Sequence, residues 1–127
     1  MNVLAAEWAD KAEADYRTAG RELKVIQGPN YDAVCFHAQQ MAEKYLKALL
    51  QERAATFPRT HNLIELLELC LLLDGSVESQ RSSLILLDRY AVRYRYPGDS
   101  ANQSLAQQAF AAATRLRAFL RQQLAIA

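Results

Sequence analysis

Apolar positions recur along most of this chain at intervals of three and four, the period of a helix that buries one stripe. The first run puts Trp8, Ala12, Tyr16, Ala19 and Leu23 on one line and predicts a helix from about Ala5 to Val25. Glu7, Asp10, Lys11, Asp15 and Arg21 fall on its other faces, and Gly28-Pro29-Asn30 stops it, because Pro29 disfavours helical geometry at the residue before it. A second helix is predicted over Tyr31 to about Glu52, where Val34, Ala38, Met41, Tyr45 and Leu49 form a line that Cys35, Ala42, Leu46 and Leu50 widen. After a loop from Ala54 to Thr60, the third helix opens at Thr60 or His61 with Thr60 as its cap. It carries Leu63, Leu66, Leu67 and Cys70 as far as Leu73, where Asp74-Gly75 ends it. The fourth starts near Ser76, capped by Ser76 or Ser79, carries Leu84, Leu87 and Tyr90, and ends around Val92 to Arg95. The fifth, from about Ser104 to Leu124, spaces Ala106, Ala109, Phe110, Ala113, Leu116, Leu120 and Leu124 for burial.

No segment alternates apolar and polar residues with β-branched enrichment, so no sheet is expected. Short connections between long helices predict an all-α, up-and-down antiparallel bundle of four main helices plus a shorter fifth. The 127 residues, with four Gly and three Pro, form one domain spanning 1–127. A domain of this size buries roughly two-thirds of its unfolded surface and needs no metal or disulfide staple. Cys35 and Cys70 fall on apolar faces without CxxC spacing and read as two buried, reduced thiols. The amino terminus has no basic region of a secretory signal, and no apolar run approaches the ~18–20 residues of a membrane span. A cytoplasmic protein with no membrane role is expected.

Charge sharpens this picture. The net charge of +1 divides into −4 over residues 1–80, with 8 basic and 12 acidic groups, and +5 over residues 81–127, with 7 basic and 2 acidic. The seven bases of the second part are all Arg, the better phosphate fork and aromatic stacker. Three of these arginines fall in a stretch that runs Arg89-Tyr90-Ala91-Val92-Arg93-Tyr94-Arg95-Tyr96-Pro97-Gly98-Asp99. Arginines supply bidentate phosphate contacts and tyrosines supply faces for bases. If the fourth helix continues through it, Arg89 and Arg93 share a face, and Pro97-Gly98 leaves Arg95 and Tyr96 at an exposed turn. Arg89, Arg93, Arg95, Tyr94, Tyr96 and, from the second helix, Lys44 are the candidate phosphate- or nucleotide-binding residues. The alternative is packing: tyrosines closing the end of the bundle and arginines paired with carboxylates of the acidic part.

His37, Gln40, Lys44 and Lys47 make the polar portion of the second helix. His37 and His61 are the two residues that could exchange protons near neutral pH, although each also suits a hydrogen-bonded structural role. No HExxH, CxxC, Gly-rich phosphate loop or GxSxG is present, so neither a metal nor a cofactor is expected.

An opening helix with a tryptophan is followed by Phe36-His37-Ala38-Gln39-Gln40-Met41-Ala42-Glu43-Lys44-Tyr45-Leu46-Lys47-Ala48-Leu49-Leu50, then Thr60-His61-Asn62-Leu63, then Asp88-Arg89-Tyr90 and Arg95-Tyr96-Pro97. In this order the motifs resemble the HEPN family, and the resemblance covers nearly the whole chain. It implies a helical bundle that usually dimerises and that is often encoded beside a minimal nucleotidyltransferase in toxin–antitoxin-like pairs. Many members are ribonucleases whose signature is an Arg, four to six intervening residues, and a His. Here Ala54, Ala55 and Thr56 occupy the window before His61, and Asn30, Tyr31 and Asp32 the window before His37. The signature is absent, so the resemblance implies a nucleotide- or RNA-binding module, non-catalytic by itself, working with a nucleotidyltransferase. A metal-independent ribonuclease with a displaced Arg/His site and a regulatory homodimer without a nucleic-acid role are the alternatives.

Overall fold

The computed structural model describes residues 1–126, and among them there are five α-helices and no strand. They are α1 (Val3–Leu23), α2 (Tyr31–Glu52), α3 (Leu63–Leu71), α4 (Arg81–Asp88) and α5 (Gln103–Gln123). Three are long and two short, and 3-10 turns at Gly75–Gln80 and Arg89–Ala91 flank α4. The all-helical bundle expected from periodicity is what forms. No described helix is long and apolar enough to cross a membrane.

Asparagine sets the starts of four helices. The side chains of Asn2, Asn30, Asn62 and Asn102 accept backbone N–H groups of Ala5, Ala33, Ile64 with Glu65, and Leu105 at 2.7–3.0 Å. These satisfy donors that the first turn of a helix leaves open. Asn62, not Thr60, is therefore the cap of α3; Thr60 instead accepts the Asn62 N–H at 3.1 Å. Neither Ser76 nor Ser79 caps α4. Asp74 caps the preceding 3-10 turn through Ser76 N, and Gln80 precedes α4 without a side-chain capping bond.

α2 is the central element, and apolar groups on several of its faces are fully buried, among them Val34, Met41, Tyr45, Leu46, Leu49 and Leu50. Each such side chain contributes roughly 1.5–3 kcal/mol on burial, against at most about 1 kcal/mol for an exposed ion pair, so packing decides the arrangement. α1 runs antiparallel to α2, because Asn2 binds Glu52 at one end while Asp15 reaches His37. α5 is antiparallel to α1, with Arg117 on Glu13 and Phe110 beside Gly20. The loop 53–62 carries the chain back along α2, so His61 meets Gln39 and Cys70 meets Leu46, and α3 runs with α2. α4 then reverses it: the Asp88 carboxylate accepts the Leu63 N–H at 2.8 Å and Arg81 pairs with Glu68.

One expected continuation does not occur. α4 stops at Asp88, a single 3-10 turn covers Arg89–Ala91, and Tyr94 takes φ of 68°. Arg89 and Arg93 consequently do not share a helical face. The Tyr90 and Tyr94 rings still stack, 5.9 Å apart, and Tyr90 is fully buried, so ring packing closes this end of the bundle through a turn in place of a helix.

Candidate functional site

The turn after α4 folds back over the amino-terminal half of α2. Asp32 holds it there, accepting the Ala101 N–H at 2.6 Å. Between turn and helix lies a cleft of about 410 Å³ bordered by Phe36, His37, Arg93, Tyr94 and Arg95. A smaller hollow adjoins it, bordered by Phe36, Gln40, His61 and, again, Arg95. His61 in turn borders a third cavity that Lys44 and Lys47 also line. Residues 36, 37, 40, 44 and 47 follow one edge of α2 at helical spacing, so the three openings form a single groove along that edge. From residue 33 to residue 47 it is ~21 Å long at 1.5 Å per residue.

Its cations differ in availability. Arg95 is exposed and has no ion partner among the described residues. Arg93 lies over the Tyr94 ring, 4.8 Å from its centroid, and pairs with Asp99 at 3.2 Å. Both members of that pair are well exposed, so solvent screens the contact strongly and it holds Arg93 only weakly. The hydrogen bond to Asp99 is the main reason Arg93 titrates above the usual guanidinium range. Lys44 is occupied: its Nζ sits 2.6 Å from Asp15 Oδ2. Arg89 is exposed at the 3-10 turn, its carbonyl receiving the Arg93 N–H, and Tyr96 stands 77% exposed beside Pro97. Burial raises the Tyr94 hydroxyl above the ordinary tyrosine value, and that hydroxyl has no hydrogen-bond partner among the described residues. The structure thus gathers Arg93, Tyr94, Arg95, His37 and His61 along one groove and leaves Arg89 and Tyr96 outside its described walls.

Both histidines are held by carboxylates. His37 Nδ1 is 2.7 Å from Asp15 Oδ1, and His61 Nδ1 is 2.9 Å from Glu43 Oε1. Binding through Nδ1 leaves Nε2 of each ring for another partner. His61 itself is not a helix cap; it stands one residue ahead of Asn62 and reaches across to α2. Asp15 and Glu43, which hold these histidines, are the candidate-site residues that periodicity missed. Asp15 was expected on a solvated face, yet it is 8% exposed and joins His37 to Lys44. Glu43, 3% exposed, collects Lys47 at 3.0 Å as well as His61. A signal existed: Gln39, Glu43 and Lys47 recur every fourth residue beside the buried Ala38, Ala42 and Leu46.

The arginines of the last helix have a separate task. Arg117 and Arg121 both pair with Glu13 of α1, and Arg117 also covers the Tyr16 ring at 4.7 Å. Here the arginines of the basic part do pair with the acidic part. Among the described residues no group of three or more His, Cys, Asp or Glu is placed to hold a metal.

In comparison with protein families, the HEPN domain matches residues 5–123 of the chain. Solved structures similar to it include TT1696 from Thermus thermophilus, 27% identical with a TM-score of 0.75 over 93% of this chain and 96% of that one. ST0689, an archaeal HEPN homologue, is 24% identical with a TM-score of 0.76 over 97% and 98% of the two chains, a likeness of fold. The comparison with curated proteins found no match.

Proposed function

This chain belongs to the HEPN domain family, and from that premise we propose that it binds RNA or a nucleotide in the groove along α2, without cleaving it alone. The observation that carries this reading is the meeting of Arg93, Tyr94 and Arg95 with the polar edge of α2 in one cleft. Guanidinium groups fork onto phosphate oxygens, and an aromatic ring beside them offers a face to a base. The missing Arg-to-His signature supports a binding role. In this reading the protein works as a homodimer and with a minimal nucleotidyltransferase, in a toxin–antitoxin-like pair.

A salt-dependent titration with labelled single-stranded RNA and with ATP tests it. The logarithm of the binding constant should fall linearly with the logarithm of salt, and Arg93→Ala/Arg95→Ala should flatten that slope by roughly 1.4, two contacts at ~0.7 each. An unchanged slope in the folded double variant would remove these arginines from the site.

A second reading rests on a specific feature. Arg95 borders both hollows that contain a carboxylate-held histidine, one with His37 and one with His61. A base, an acid and a phosphate clamp are what metal-independent RNA cleavage requires. Cleavage followed in the same samples, and lost in His37→Ala or His61→Ala, would favour a ribonuclease over a binding module.

A further inference from the structure

The third cavity of the groove, about 470 Å³, opens between the start of α1, α2 and the loop 53–62. Trp8 and Phe57 form an aromatic wall, meeting edge to face with centroids 6.4 Å apart. Lys47 and Glu43 also line it, and their side chains are only 7% and 4% exposed. Lys47 Nζ lies 3.0 Å from Glu43 Oε2 and 5.3 Å from the centre of the Trp8 ring. A buried ion pair adds little net stability, because desolvation of both charges offsets their attraction. Stability therefore does not account for placing one beside an open aromatic cavity.

The pair retains hydrogen-bonding capacity. A carboxylate offers about four acceptor sites. Lys47, His61 at 2.9 Å and a long contact from Gln39 at 3.5 Å account for three on Glu43. The Lys47 ammonium has three N–H groups, one of them on Glu43. A donor and an acceptor therefore remain side by side. Arg59, exposed and without an ion partner among the described residues, stands at the rim.

We propose that this cavity holds a guanine base of the bound RNA. The guanine edge presents the O6 acceptor next to the N1–H and N2–H donors, the complement of an ammonium next to a carboxylate. Adenine makes the same two contacts only when turned over, with N6–H on Glu43 and N1 on Lys47, which sends its ribose in a different direction from that of guanine, and a pyrimidine would cover less of the Trp8–Phe57 wall. Arg59 takes the phosphate of the same nucleotide. Because His61 borders both this cavity and the Arg95 hollow, the base sits at the far end of the groove, and the inference rests on the RNA-binding reading.

Trp8 is the one tryptophan of the chain, so its emission reports occupancy of this cavity. GMP should change that emission saturably, with AMP, CMP and UMP about tenfold weaker or more, the scale of one base-edge pairing. Lys47→Met, close in length but without the ammonium, should abolish the preference for GMP. Should that variant unfold, Arg59→Ala, an exposed change, should weaken GMP binding while leaving the preference intact. Arg93→Ala/Arg95→Ala should weaken labelled RNA without altering the response to GMP. Equal responses to all four nucleotides would overturn the guanine assignment. So would RNA that binds by anisotropy but leaves Trp8 emission unchanged, an outcome that spares the groove. RNA that fails to bind at all sinks the groove reading and the guanine pocket together.

Discussion

Asp15 answers to two cations of α2, His37 and Lys44, at 2.7 and 2.6 Å, and it does so from a helix whose neighbouring positions are Ala and Tyr. Single residues of this kind are where the sequence was least legible. Periodicity assigns a residue to a face, but a carboxylate near the edge of the buried stripe can turn toward a partner that only the packed neighbour supplies. The thiols, in contrast, were legible because burial alone determines them. Cys35 and Cys70 are both free and fully buried. Burial, assisted by Asp32 and Asp74 respectively, pushes their titration up to about 11 and about 12. At pH 8 the reactive thiolate is then roughly a thousandth of Cys35 and less of Cys70, and neither is within easy reach of a reagent. Ellman's reagent should accordingly label both only after unfolding, at least ~100-fold faster in urea than in buffer. Rapid native labelling of either cysteine would contradict the packing around α2.

At the scale of elements, helix boundaries depend on short polar side chains as much as on the apolar stripe. α2 begins and ends where its pattern predicts, at Tyr31 and Glu52, because a broad apolar face and the Asn30 cap agree. α4 ends early because Tyr94 reaches the Tyr90 ring through a left-handed turn, and a spacing of four is equally compatible with a helix. Every asparagine in the sequence, at positions 2, 30, 62 and 102, caps a helix, a regularity visible in the sequence that the apolar pattern does not use. Asp88 plays a similar part across two elements. Sitting last in α4, it accepts the N–H of Leu63, a fully buried residue at the start of α3. Asp88→Ala leaves that donor unpaired, which costs about 1–3 kcal/mol, whereas Asp88→Asn retains an acceptor and most of the stability. Urea midpoints of the two variants measure the difference. Equal midpoints would mean that the carboxylate does not pin α3 to α4. The Asp-Arg-Tyr motif thus divides between a structural Asp88, a buried Tyr90 and an exposed Arg89.

Across the whole molecule, Glu13 is the point where the three long helices meet. From α1 it accepts hydrogen bonds from Tyr45 of α2 and from Arg117 and Arg121 of α5. The pattern placed all three helices, but the junction was invisible in it, since a Glu and two Arg more than a hundred residues apart share no local signal. Burial raises the Glu13 pKa, yet the hydrogen bonds from Arg117 and Tyr45 and the charges of both arginines outweigh it, leaving the group below its ordinary value of 4.5. The sign of the linkage follows. With the folded value depressed, the stabilisation is fully present above pH 4.5 and is lost as pH falls through the folded value, where folded and unfolded chains both become protonated. Glu13→Gln keeps the size and one acceptor but removes the charge and should lose about 1.5–3 kcal/mol at pH 7, the scale of hydrogen bonds to an ionised group. Asp74 and Glu78 also titrate below their ordinary values, but they do so in both proteins and cancel in the difference. Urea unfolding at about pH 7, 5.5, 4.5 and 3.5 should therefore show the gap between wild type and Glu13→Gln wide and constant at the two upper values and narrowing below. A gap independent of pH would mean that Glu13 joins the helices by shape and not by charge.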